Sequence, residues 1–395
     1  MSRVLITGIG VISAIGWSAA ENHIALKNGA CGIGLPGYLH SRYAETFPAG
    51  EVKITTEELK SKLGLTDASV TRTTALAVHA FNEAISDAAL TSNQLTSGST
   101  ALIGATTVGG MCLTDELYRD ANAVSTDSPF LASYDCSSVF LYVQRHYNIK
   151  GLVNTINTAC SSSANAIGYG ARLIKLGLAN KAIVGGAESL SKFTVNGFNA
   201  LHILSPEICR PFDANRKGLN LGEGAAFLVL EREEDVIGKK VYAEVKGYGN
   251  ASDAFHSSSL SDDGEGPYAA MQGALASAKL QAADIDFINA HGTATENNDQ
   301  VEGKAMLRIF SKPPPFASTK SNTGHTLGAS GAIEAVYSIF NIANQEIYPA
   351  LNFTNIDESI GLTPAGVYKK AAIKNVMSNS FGFGGNCTSL IFSKA

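Results

Sequence analysis

Four places in the sequence put reactive residue types where a fold could use them. Cys160 lies within Gly151–Gly177, GLVNTINTACSSSANAIGYGARLIKLG. The apolar, β-branched residues Leu152, Val153 and Ile156 read as a short buried strand, and the small-residue run after Ser163 as a tightly packed helix. Cys160 therefore falls at a strand-to-helix turn, beside a helix N-terminus whose partial positive charge and free N–H groups favour a thiolate. A thiolate there would be a nucleophile. Taken alone, a cysteine there reads more readily as a buried, inert core residue, since free cysteine is among the most buried types. His291 opens His-Gly-Thr-Ala-Thr-Glu directly after the apolar run Asp286–Ala290, and Asp299 and Glu302 follow on a helix. Lys320 and His325 share the glycine-rich stretch KSNTGHTLGASG. The stretch Ser378–Asn386, SNSFGFGGN, interleaves aromatics with glycines that let a backbone N–H approach a ligand closely.

The elements that must position these residues come in two similar sets. Strands are expected at Val4–Gly10, Ala101–Gly104, Leu152–Ile156, Lys181–Glu188 and Gly224–Glu231, with a buried helix over Thr71–Leu90. The rhythm restarts at Val241–Gly249 and continues through Asp286–Ala290, Phe316–Thr319, Asn375–Ser380 and Thr388–Phe392, with a helical run at Ala332–Ile342. Strands alternating with helices imply a mostly parallel sheet, whose sites form at the carboxyl ends of strands. Cys160, His291 and Lys320 each lie just past such an end. The boundary between sets is expected near Glu233–Lys240, giving halves 1–237, with Cys160, and 238–395, with His291, Lys320 and His325. Gly8-Ile9-Gly10 lacks the third glycine and the later acidic residue of a dinucleotide loop, and Lys320 precedes its glycines with no GxxxxGK, so neither nucleotide motif is present.

Composition narrows the class. The 395 residues are 45% hydrophobic and 16% charged, enough for a large core and sparse surface charge, and the net charge of −5 gives no support for nucleic-acid binding. No apolar run reaches the roughly 18 residues of a membrane span, and the N-terminus does not read as a signal peptide. The six scattered cysteines show no CxxC spacing, which argues for a reducing, cytoplasmic setting and against structural zinc.

Taken together, Thr158-Ala159-Cys160-Ser161, Arg210-Pro211-Phe212-Asp213, Leu221-Gly222-Glu223-Gly224, His291-Gly292-Thr293, Lys320-Ser321-Asn322-Thr323-Gly324-His325 and Gly382-Phe383-Gly384-Gly385 resemble, in order and over Val4–Phe392, the elongating β-ketoacyl-ACP synthases of the thiolase superfamily. The resemblance implies an α/β thiolase fold, two βαβαβαββ halves packed as a five-layer αβαβα sandwich. It implies decarboxylative Claisen condensation: Cys160 carries the acyl chain, the N–H groups of Cys160 and Phe383 form an oxyanion hole, and His291 and His325 stabilise the malonyl-derived enolate. By the same resemblance Lys320 pairs with Glu302 and tunes the histidines. Val108, Phe198 and His202 line the acyl channel with Phe381 beside them, Phe383 gates it, and Ser257 and Ser258 belong to a loop near the pantetheine entrance. It implies no metal and no free cofactor, phosphopantetheine arriving on acyl carrier protein. A two-fold dimer is expected, with Ser128–Tyr142 near the partner's acyl pocket, and a heterodimer with a related subunit is the variant.

The sequence departs from that pattern at four places. His202 replaces the usual Arg, Phe255 the usual Tyr, and Gly384-Gly385-Asn386-Cys387 the usual Gly-Gly-Thr-Asn, while the basic cluster near residues 68–73 is reduced to Arg72. These features fit a specialised synthase of a polyene or polyketide-like chain. The rivals are a non-catalytic chain-length-factor subunit, which would lack the nucleophile, a thiolase needing a second catalytic Cys, and a zinc hydrolase using Cys160, His291 and His325.

Overall fold

The computed structural model describes residues 2–123, 128 and 130–395. Ten strands form its main sheet: β1 (Val4–Ser13), β2 (Thr100–Ala105), β3 (Val153–Ile156), β4 (Lys181–Glu188), β5 (Gly224–Arg232), β6 (Ala243–Ser252), β7 (Phe287–Asn289), β8 (Phe316–Ala317), β9 (Asn375–Phe381) and β10 (Asn386–Ser393). Their spatial order is β8-β7-β9-β10-β6-β1-β5-β4-β2-β3. Each half, counted along its own chain, therefore runs third-second-fourth-fifth-first. Each also has the same directions: the second strand pairs parallel with the third and fourth, and the fifth pairs antiparallel with the fourth and first, so the sheet is mixed and not mostly parallel as the strand–helix rhythm suggests. The halves meet at β1 and β6 through only Leu5–Glu244 and Ile6–Ala243.

Alternation along the strands builds three cores. On β5, Ala226, Leu228 and Leu230 face inwards to a core shared by both halves, and Ala225, Phe227 and Val229 face an outer core. The shared core holds helices α3 (Ser162–Lys175) and α6 (Ser330–Asn344). α6 is buried on every face from Ser330 to Ile342, as a helix packed between the two halves of the sheet must be. α1 (Arg72–Asp87) covers the outer face of the first half, and α4 (Glu265–Ala278) and α5 (Glu296–Ile309) that of the second. α2 (Ser138–His146) packs into the first outer core through Val139, Phe140 and Val143. Helix, sheet, paired helices, sheet and helix make the five layers of a thiolase fold.

Glycines set the spacing of the outer layers. A Cβ on Gly10 would stand 2.1 Å from the Ala80 carbonyl oxygen of α1, and one on Gly249 would stand 2.0 Å from the Ala270 oxygen of α4. The Gly8-x-Gly10 pair is thus a helix-packing device on a strand, repeated as Gly247-x-Gly249, and holds no nucleotide.

Candidate functional site

The turn after β3 holds Cys160 under strain. Ala159 has a positive φ of 53°, and Thr158 and Cys160 form a bridge across it. Ser161 caps α3, so Cys160 sits just outside the helix N-terminus, where the strand-to-helix pattern places it. Cys160 is 4% exposed, and its sulfur faces His325 of the other half. His325 Nε2 lies 3.0 Å from Cys160 Sγ, and the Cys160, His291 and His325 ligand atoms all lie within 4.8 Å of one another. The Phe383 N–H lies near enough to the sulfur to favour its thiolate form. Two halves of the chain thus converge on one sulfur.

Lys320 fixes the state of the second histidine. It begins a short helix, Lys320–Thr323, where the glycine-rich sequence reads as a turn. Its Nζ donates to the His291 carbonyl at 2.6 Å, to Glu334 on α6, and to His291 Nδ1 at 3.2 Å. An ammonium only donates, so His291 Nδ1 must accept, which leaves that ring's proton on Nε2. His325 Nδ1 is 2.9 Å from Ser330 Oγ at the start of α6.

The electrostatics follow from burial. It drives both imidazoles well below their usual pKa, and the Lys320 charge pushes the same way, so both are neutral donors across the physiological range. Burial also raises the Cys160 thiol to about 11 against the pull of Lys320, so the resting sulfur is a thiol with His325 as its hydrogen-bond partner. Cys, His and His are also metal-ligand types, but the Lys320 ammonium against the His291 ring opposes a second cation there.

One expected pairing is corrected. Glu302 does not pair with Lys320. It lies on α5 and turns back to its own loop, accepting from the His291 N–H at 2.9 Å, the Gly292 N–H at 2.8 Å and Asn379 Nδ2 at 3.0 Å. With no cation beside it, burial lifts its carboxyl to about 7. Glu334 is the partner of Lys320. Its only sequence signal is that it is the lone acid in the apolar run Ala332–Ile342, which the sequence reading did not use.

A cavity of about 540 Å³ opens at the sulfur. It is lined by Cys160, His291, His325, Phe198, His202, Phe381, Phe383 and Ser258, with Thr293 and Thr295 adding hydroxyls the sequence reading did not assign. Phe198 and Phe383 stack with ring centres 5.8 Å apart. Val108 and Ser257 are not among the lining residues. Val108 is buried on the turn after β2, where its N–H donates to Glu188, and Ser257 accepts the Gly384 N–H. Glu188 also accepts from Thr106, Thr107 and the Gly328 N–H, and ties that turn to the loop after His325. Arg72, the remaining base of the 68–73 stretch, is turned inwards onto Glu223 and presents no cation to a partner. Of Ser128–Tyr142, residue 129 lies outside the described residues.

Comparison with known proteins gives a consistent result. Residues 1–236 match the β-ketoacyl synthase N-terminal domain and residues 242–354 the C-terminal domain. The chain is 35% identical to 3-oxoacyl-[acyl-carrier-protein] synthase 1 of Haemophilus influenzae, covering 100% of this chain and 99% of the relative. It is 33% identical to synthase 2 of Vibrio cholerae, covering 99% of each. Among solved structures, the ishigamide ketosynthase/chain length factor superposes with a TM-score of 0.93 at 29% identity, covering 100% of this chain and 99% of that one. A β-ketoacyl synthase from Burkholderia phymatum superposes with a TM-score of 0.87 at 32% identity, covering 100% of each chain.

Proposed function

This chain belongs to the β-ketoacyl synthase family, and on that premise we propose that it catalyses decarboxylative Claisen condensation between an acyl group on Cys160 and a malonyl thioester. The observation that carries the reading is the 3.0 Å contact between Cys160 Sγ and His325 Nε2, with His291 and the Phe383 N–H converging on the same point. In the first step the sulfur adds to the acyl thioester carbonyl, whose oxygen takes the negative charge between the Cys160 and Phe383 N–H groups. The pantetheine thiolate leaves and takes up the proton released by the Cys160 thiol.

In the second step the malonyl thioester loses CO₂. The electrons of the broken C–C bond form an enolate, which two neutral imidazole N–H donors stabilise without protonating its carbon. The enolate carbon attacks the acyl-Cys160 carbonyl, the new C–C bond forms, and the Cys160 thiolate departs. Lys320 supports this by holding the His291 proton on Nε2.

The substrates arrive on acyl carrier protein, whose phosphopantetheine arm makes a separate cofactor unnecessary. The curated relatives are named for that carrier, and one similar solved structure is titled as a type II polyketide ketosynthase in complex with its carrier protein. We read the halves as divided at residues 237 and 238, between the two matched domains. The working unit is a dimer in a cytoplasmic setting; no helix among the described residues is long and apolar enough to cross a membrane. Two similar structures pair a ketosynthase with a chain length factor, which supports a related subunit as the second member of the dimer. Assembly of Cys160, His291 and His325 favours the catalytic role for this chain over the chain-length-factor role. Incubation with acyl- and malonyl-carrier protein should yield CO₂ and a 3-oxoacyl product. Cys160→Ala should abolish the product; product formed without Cys160 would overturn the reading.

A further inference from the structure

We propose that Asn386 is a positioning residue that sets the spacing of the two oxyanion-hole N–H groups; the inference rests on the acyl-transfer reading above. Those N–H groups come from opposite halves, Cys160 on the turn after β3 and Phe383 on the turn between β9 and β10. Nothing covalent fixes their separation. Asn386 is bonded to both turns. Its backbone carbonyl accepts the Gly382 N–H at 2.8 Å and closes the turn from which Phe383 projects. Its side-chain Oδ1 accepts from Ser161 Oγ at 2.7 Å and Asn165 Nδ2 at 2.8 Å, the residue after the nucleophile and the first turn of α3.

The clamp is braced on both sides. Ser161 Oγ and Asn165 Nδ2 also reach Thr158, two residues before Cys160, at its carbonyl and hydroxyl. From the other half, Asn250 Nδ2 donates to Asn386 Oδ1 at 2.9 Å, and Thr388 Oγ1 donates to Asn165 Oδ1 at 2.8 Å. One carbonyl oxygen thus faces donors from both halves, Ser161 and Asn165 from the first and Asn250 and, at 3.4 Å, Thr388 from the second. A half-ångström slip there would leave the sulfur in place against His325 while pulling the Phe383 N–H out of line with the developing oxyanion. A buried network of this kind rigidifies the two turns it joins, which is what an oxyanion hole needs.

Two reactions of the same sulfur separate this role from general damage. Transfer of an acyl group from the probe S-hexanoyl-N-acetylcysteamine forms an oxyanion; alkylation by iodoacetamide displaces iodide and forms none. Both rates are measured at Cys160 by mass spectrometry on the full chain. Asn386→Ala is expected to lower the acyl-transfer rate on the order of 10- to 100-fold and to leave alkylation within about two-fold. Asn386→Thr, whose hydroxyl sits one bond closer to the backbone and accepts from fewer donors, is expected to fall between and serves where the alanine variant fails to fold. An unchanged ratio of the two rates in the folded variants overturns the proposal. Wild-type protein that alkylates but takes no acyl group would overturn the proposed function itself.

Discussion

The two halves share a strand order and use it for opposite ends. In the first, the third strand leads through a short turn into α3 and leaves a thiol beside the helix N-terminus. In the second, the corresponding β8 is followed by Lys320–Ala329 before α6 begins, and that longer connection carries Lys320 and His325. The second strands diverge likewise. β2 ends in the hydroxyl-lined turn at Thr106–Val108, held by Glu188, whereas β7 ends at His291, held by Glu302. One half supplies an uncharged nucleophile; the other supplies two donors kept uncharged by burial, with a buried ammonium adding to the effect. The difference shows how a duplicated scaffold gains chemistry, by lengthening one turn while the sheet stays put.

Separating the halves should break the reaction into its parts. Cys160→Gln removes the nucleophile and leaves the histidine pair, so acyl transfer should vanish while CO₂ release from malonyl-carrier protein continues. His291→Ala should do the reverse, keeping the acyl adduct and lowering CO₂ release on the order of 10²- to 10³-fold. A Cys160→Gln variant with no CO₂ release would show that the second half does not act as a unit.

The next effect concerns pH. Lys320 lowers the pKa of both histidines, so in Lys320→Ala they rise towards the ordinary value. Wild-type activity should hold as pH falls through 6.5 and be lost only well below it. In the variant the acid limb should move up, so that kcat/KM at pH 6 falls further relative to pH 8 than in wild type. An unmoved limb would separate Lys320 from the histidines. On the other half, iodoacetamide alkylation of Cys160 should keep rising from pH 7 to about 10, because burial holds the thiol near 11. A plateau below pH 8 would contradict that.

The smallest effect tests the shared scaffold. Gly10→Ala and Gly249→Ala each press a methyl group onto a helix carbonyl, at 2.1 and 2.0 Å. Each should cost about 1–3 kcal/mol in chemical denaturation. A large cost in one half with none in the other would break the equivalence of the outer layers.

The fold was largely legible in the sequence because its strands are apolar runs ending in chemistry-bearing turns. All ten were placed, and the ends of β3, β7 and β8 marked Cys160, His291 and Lys320. The amphipathic helices at Thr114–Ala123, Ser138–His146 and Lys192–Ala200 were not read, since their apolar faces are short and interrupted. Partner choice was the least legible. Glu302 and Glu334 both lie on helices after reactive turns, and only the fold shows that one meets backbone N–H groups and the other an ammonium. The same holds for Asn386: its donors lie 225, 221 and 136 residues away in sequence, so nothing local announces it.

The central claim is that the buried thiol of Cys160 receives the acyl chain where the two halves meet. It is tested most directly by incubating the protein with an acyl-carrier thioester and mapping the adduct by tandem mass spectrometry. The account predicts one acyl group on the peptide containing Cys160, and none on Cys112 or Cys387. An adduct on either of those cysteines, with Cys160 unmodified, would contradict it.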